Sequence, residues 1–82
     1  MITVRFFAQY RERLGCETLQ VEDSQVQTIA DLLEQLQKRG ENWQAVLSQK
    51  NLLIAKNQEH SRLDSPLSDG DEIAFFPPVS GG

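Results

Sequence analysis

The chain has 82 residues, enough for one small domain and too few for a second, because domains run from about 50 to 250 residues. Hydrophobic residues make up 39% and charged residues 24%, ordinary globular values that exclude a disordered or fibrous chain. A net charge of −4 argues against a nucleic-acid partner, which needs clustered Lys and Arg, and favours basic protein surfaces.

The first predicted element is a strand: Ile2, Val4 and Phe6 alternate with Thr3 and Arg5, the period of two expected when one face is buried. No basic and apolar leader pattern precedes it, and no apolar run approaches the roughly 20 residues of a membrane span, so a cytoplasmic chain without membrane contact is expected. Phe7 falls in the opposite phase from Phe6 and belongs outside the core. The charged stretch from Ala8 to Leu14, stopped by Gly15, predicts one or two helical turns. Cys16, the single cysteine, can form no internal disulfide and belongs to no CxxC pair; it reads as a small residue opening a strand. Leu19 and Val21 alternate with Gln20 and Glu22, predicting a second strand paired with the first in a hairpin or near relative.

From Thr28 to Gly40 the residues Ile29, Leu32, Leu33 and Leu36 keep the i, i+3, i+4, i+7 spacing of one helical face. Thr28 with Asp31 resembles a capping box, Lys38 and Arg39 suit the negative end of the dipole, and Gly40 is the expected stop. Trp43, Val46 and Leu47 predict a short second helix within 41–49, with Trp43 in the core. Leu52 to Ala55 form a run of strand length, Asn57 marks a turn, and a short strand is expected near Glu59 and His60. His60 is the single histidine, and with no Cys or acidic ligand pattern beside it a metal site is not expected. Ser65-Pro66 and Asp69-Gly70 mark turns. The acidic group Asp64, Asp69, Asp71 and Glu72 lacks the alternating oxygen ligands of a calcium loop and reads as a solvated turn.

Ile73 to Phe76 is the last predicted strand. If Ile73 and Phe75 face the core, Ala74 and Phe76 face outward, so Phe76 joins Phe7 as a second exposed ring, and two such rings suggest an interface. The order strand, strand, helix, strand, short strand, strand suits an α+β layout, a β-grasp with a mixed sheet wrapped over one main helix. That domain is expected to span residues 1–76.

Residues 77–82 read Pro77-Pro78-Val79-Ser80-Gly81-Gly82 and are expected to form an extended tail. The prolines cannot continue a central strand and favour polyproline II, which sends the tail away from the fold. Six extended residues reach on the order of 20 Å, enough to enter another protein's channel. Without a Cβ, Gly81 and Gly82 fit a narrow passage. The reactive group is then the terminal carboxylate, anionic at neutral pH and a poor electrophile until converted to an acyl-adenylate; sulfur transfer onto the adenylate leaves a thiocarboxylate. A diglycine end by itself is equally that of a frayed terminus.

The run Leu67-Ser68-Asp69-Gly70-Asp71-Glu72-Ile73-Ala74-Phe75-Phe76-Pro77-Pro78-Val79-Ser80-Gly81-Gly82 resembles the small, sulfur-carrying subunit of molybdopterin synthase. Phe6-Phe7-Ala8-Gln9 with Arg11-Glu12, the central helix and Leu52 to Gln58 extend the resemblance over essentially the whole chain. It implies a ubiquitin-like β-grasp whose Gly82 is adenylated by an activating enzyme related to ubiquitin activators, with ATP used by that enzyme and no cofactor bound by the chain itself. The large synthase subunit would then receive the tail, in a heterotetramer of two large and two small subunits, and sulfur would pass to cyclic pyranopterin monophosphate. The resemblance places Phe7, Phe76, Pro77, Pro78, Val79, Ser80 and Gly81 against these partners and makes the chain a co-substrate more than an enzyme. Lys56 and His60 stand where the family leads one to expect apolar residues. Two alternatives remain at this point: a sulfur carrier for thiamine or tRNA thiolation, and a ubiquitin-like modifier joined to lysines.

Overall fold

A computed structural model describes residues 1–48 and 52–78. The strand β1 (Ile2–Phe6) is followed by α1 (Gln9–Leu14), β2 (Thr18–Val21), a 3₁₀ turn (Asp23–Gln25), α2 (Ile29–Gln37) and α3 (Glu41–Leu47); β3 (Leu53–Lys56), β4 (Glu59–His60) and β5 (Glu72–Phe76) complete the order. The five strands form one sheet in the order β2-β1-β5-β3-β4. The central pair β1 and β5 is parallel, and every other pairing is antiparallel. This is the expected mixed sheet of a β-grasp.

The alternation in β1 does what its period predicts: Ile2, Val4 and Phe6 are buried, while Thr3 and Arg5 are half-exposed. Ile73 and Phe75 join them from β5 and Ile54 from β3. Against this face α2 lays Ile29, Leu32, Leu33 and Leu36, all buried, each contributing about 1.5–3 kcal/mol by leaving water. Phe6 stacks on Phe75 with ring centroids 6.1 Å apart.

The start of α2 shows how the long loop after β4 is held. Thr28 Oγ1 accepts from the Asp31 N–H at 3.2 Å and Asp31 Oδ2 accepts from the Thr28 N–H at 3.2 Å, a complete capping box. The Ile29 and Ala30 N–H groups, which no helical carbonyl can reach, donate instead to Ser65 O at 3.0 Å and Leu63 O at 2.8 Å. The loop thus satisfies donors that the helix leaves open.

Several expectations are corrected. α2 ends at Gln37 with Lys38 as its C-cap, not at Gly40; the Lys38 and Arg39 N–H groups bond back to Gln35 O and Leu36 O in a tightened last turn. Gly40 instead precedes α3 in extended backbone. Trp43 is half-buried rather than core: its ring meets Phe6 edge-on at 5.6 Å and carries the Arg39 guanidinium at 4.8 Å. The first helical turns hide a core residue, because Tyr10 is fully buried among charged neighbours. Burial pushes its hydroxyl above the ordinary tyrosine value, with Arg13 opposing.

The turns follow their residues. Asn57 and Gln58 adopt φ of 52° and 72°, the doubly positive geometry of a tight hairpin turn, and Gly70 takes φ 90°. The Met1 ammonium lies between Asp23 and Asp69, donating to Asp23 Oδ1 at 2.8 Å.

Candidate functional site

Strand parity sorts the sheet's outer face, the one turned away from α2, into rows. Arg5 pairs with Ala74, Ala74 with Ala55, and Ala55 with His60, so one row crosses four strands with two methyl groups at its middle. The neighbouring row holds Phe76 opposite Leu53, with Phe7 just past the end of β1. Phe7 and Phe76 stack with centroids 4.7 Å apart and planes 9° from parallel.

The sequence places both rings outside the core, and the structure brings them together there. The expectation that they stand exposed is corrected: each is half-buried, because each covers a face of the other. Ala74 also faces outward as expected, yet it is buried, since its small side chain lies between larger neighbours. Arg5 completes the arrangement: its guanidinium sits 5.7 Å from the Phe7 centroid, within the range of a cation–π contact, and Nη1 lies 3.6 Å from Glu72 Oε2.

Pro77 and Pro78 follow Phe76 directly and are half-buried. The expected site residues Val79, Ser80, Gly81 and Gly82 lie outside the described residues. The tail therefore has its root beside the aromatic stack, at the end of the central strand β5.

The other singled-out residues disperse. Cys16 is half-buried and its thiol contacts Thr18 O at 3.4 Å. The acidic group shares no site: Asp69 takes the Met1 ammonium, Asp71 is bonded by Asn57 and the Ser68 N–H, and Glu72 faces Arg5. Among the described residues no cluster of three or more His, Cys, Asp or Glu side chains could hold a metal. Lys56 turns away from the outer face and donates from Nζ to Pro66 O at 2.8 Å, while His60 is exposed at the sheet edge. No helix of the described residues is long and apolar enough to cross a membrane.

Sequence reasoning missed Arg5, Ala55 and Leu53 as members of this face. The signal was present: Arg5 shares the phase of Phe7, and Ala74 that of Phe76. Alanine draws no notice because it carries no chemistry.

The family model described as the ThiS family matches residues 4–82. The chain belongs to that family. A relative from Haemophilus influenzae named "Molybdopterin synthase sulfur carrier subunit" is 45% identical, and one of the same name from Escherichia coli is 43% identical; each alignment covers 100% of both chains. Among solved structures, SAMP1 from Haloferax volcanii superposes with a TM-score of 0.84 at 28% identity, covering 99% of this chain and 98% of that one. A protein–protein complex of subunits 1 and 2 of the molybdopterin-converting factor from Helicobacter pylori contains a chain with a TM-score of 0.70 at 32% identity, covering 99% and 97%. The resemblance to sulfur-carrying small subunits of molybdopterin synthase holds, as does the ubiquitin-like β-grasp within which the ThiS-family chain places its outer face.

Proposed function

We propose that this ThiS-family chain carries sulfur in molybdenum-cofactor biosynthesis, as the small subunit of molybdopterin synthase. The observation that carries the reading is the full-length identity of 45% and 43% to relatives bearing that name. Supporting it, the stacked pair Phe7 and Phe76 adjoins the root of a tail that ends in Gly81-Gly82.

In this reading an adenylating enzyme related to ubiquitin activators binds the outer face and takes the tail into its site. A Gly82 carboxylate oxygen attacks the α-phosphorus of ATP and expels pyrophosphate. A sulfur donor then displaces AMP from the acyl-adenylate, leaving the thiocarboxylate. The charged carrier moves to the large synthase subunit, where two successive sulfur transfers to cyclic pyranopterin monophosphate build the dithiolene. Phe7, Phe76, Pro77 and Pro78 dock the chain, and Val79, Ser80 and Gly81 line the passage through which Gly82 reaches the substrate. The chain contributes no catalytic side chain and binds no cofactor of its own; it works in the cytoplasm, within a heterotetramer of two large and two small subunits.

A second reading is favoured by one observation, a relative from Haloferax volcanii named "Small archaeal modifier protein 3" that is 30% identical and covers 99% of this chain. A modifier would join its terminal glycine to lysines. Intact-mass measurement after incubation with the activating enzyme, ATP and a sulfur donor separates the two. The carrier predicts replacement of one oxygen by sulfur, absent in a variant lacking Gly82. An unchanged mass, or lysine-linked conjugates in its place, rules the carrier out.

A further inference from the structure

The sheet ends at β2, and that end is open. β2 lies outermost, beside β1. The Phe6 N–H donates to Glu17 O at 3.0 Å, and the antiparallel register continues from there, with Arg5 opposite Thr18 and Thr3 opposite Gln20. Bonded and non-bonded pairs alternate in such a ladder, so Leu19 and Val21 turn their backbone groups toward β1 while Thr18 and Gln20 turn theirs outward. The Thr3 N–H agrees from the other side, since it donates away from β2 to Asp71 O at 3.0 Å. The Cys16 thiol reaches Thr18 O at 3.4 Å; among the described residues nothing bonds the N–H or C=O of Gln20.

Along this edge runs a groove of about 160 Å³ between β2 and the end of α2. Val21 and Leu36, both buried, form its floor, and Gln20, Glu22, Gln35 and Arg39 stand around it. A strand laid beside β2 puts every second side chain on the side of the sheet that α2 covers, and the groove has room for one of them. Strand addition works through this pairing of parts: main-chain bonds supply affinity, and pockets for alternate side chains supply selectivity.

Charge says which strand fits. Glu17 and Glu22 flank the four residues of β2, and both are exposed. A second copy of the chain would bring its own Glu17 and Glu22 to the same short seam, four carboxylates in all, with a net charge of −4 on each chain. Like charges close together across strands are destabilising and opposite charges favourable, and charged residues on an edge are a common device against self-pairing. Arg39, the cation beside the groove, is held over the Trp43 ring at 4.8 Å. A strand with Lys or Arg at both ends meets opposite charge at each.

We propose that the free edge of β2 takes a short extended segment of a partner protein as a sixth strand, with one side chain seated over Val21 and Leu36 and basic residues at both ends. Val21 lies opposite Ile2, at the end of β1 away from Phe7, and the groove opens toward α2. The added strand therefore leaves the Phe7–Phe76 stack and the root of the tail uncovered. The inference goes beyond the sulfur-carrier reading and does not rest on it.

The probe is a synthetic peptide of four alternating valine and threonine residues with two lysines at each end, compared with the same core between glutamates. Adding the lysine peptide to ¹⁵N-labelled protein is expected to shift the Thr18 and Gln20 amides and slow their hydrogen exchange, with the amides of β3 and β4 in place. The glutamate peptide is expected to bind at least about tenfold more weakly, the scale of two cross-strand charge pairs reversed in sign. Gln20→Pro removes an outward N–H without touching a bond to β1 and is expected to abolish the shift at Thr18 while its own amide spectrum shows the fold intact. The two peptides on wild type decide the matter even if that variant fails to fold. Shifts no larger at Thr18 and Gln20 than elsewhere, equal binding of the two peptides, or a Thr18 shift that survives in folded Gln20→Pro overturns the proposal. Dimerisation through the same amides without peptide also overturns it, by assigning the edge to a second copy.

Discussion

Phe7 lies one residue past the end of β1 and Phe76 closes β5, and the two rings stack at 4.7 Å on the side of the sheet away from the core. Parallel pairing of β1 with β5, with Phe6 opposite Phe75, carries the next residue of each strand to the same place. A core ring pair and an outer ring pair thus arise from two Phe-Phe dipeptides, Phe6-Phe7 and Phe75-Phe76, read in register. The inner pair stabilises the fold, and the outer pair lies outside the core, each ring half-buried against the other.

That division gives the first prediction. Phe76→Ala should lower folding stability by only about 1 kcal/mol, the scale of an aromatic pair outside the core, while weakening the large-subunit complex by at least tenfold, as loss of an interface anchor does. Phe7→Ala should act alike. Because each ring supports the other, the double variant should lose less binding than the two single losses added together. Additive losses in a double-mutant cycle read by calorimetry would show that the rings dock independently.

The turn that aims Phe7 is strained. Ala8 adopts φ 55° and ψ −133° between Phe7 and α1, a region costly for any residue with a Cβ and open to glycine. Ala8→Gly should therefore raise the urea midpoint, with a gain on the order of 1 kcal/mol reduced by the greater freedom glycine has when unfolded. A lowered midpoint would mean that the methyl group makes contacts worth more than the strain.

The helix cap offers a third check. Thr28→Ala removes the acceptor for the Asp31 N–H at the start of α2 and should cost about 1 kcal/mol in chemical unfolding. Thr28→Ser, which keeps the hydroxyl, should recover most of it. Equal losses in both variants would assign the effect to the methyl group.

How much of this was legible depends on the length of each pattern. Alternation over β1 and β5 and the four apolar positions of α2 gave long enough windows for the period to stand out, and from them followed the sheet, the helix and the outward phase of both aromatic rings. Tyr10 was hidden because α1 offers only the pair Tyr10 and Leu14 among charged residues, too short a stretch to separate a buried face. Gly40 misled because glycine serves either side of a helix boundary, and here the tightened turn at Lys38 ended α2 first. The pairing of Ala55 with Ala74 required knowing which residues lie opposite each other across β3 and β5, which sequence periodicity within one strand does not specify.

The last prediction concerns acid. Asn57 stitches the β3–β4 turn to β5: its Nδ2 donates to Asp71 Oδ1 at 3.0 Å, its Oδ1 accepts from the Glu72 N–H at 2.9 Å, and its own N–H donates to Glu72 O at 2.8 Å. The hydrogen bond from Asn57 is the main cause that holds the Asp71 carboxyl below its ordinary value; the bond from the Ser68 N–H and the Lys56 charge add to it, and partial desolvation opposes. A folded value lower than the unfolded one means that the ionised form favours the native state. Its contribution is fully present above the unfolded carboxylate value of about 3.9 and is lost as pH falls through the lower folded value. Asp71→Asn should then be less stable than wild type at neutral pH, with the difference shrinking below about pH 4 as wild-type Asp71 takes up its proton. Asn57→Gly, which keeps the positive φ but removes the side-chain donor, should raise the Asp71 value in a carboxyl-carbon NMR titration. A stability gap that stays constant from neutral to acid pH would show that Asp71 acts through its shape and not through its charge.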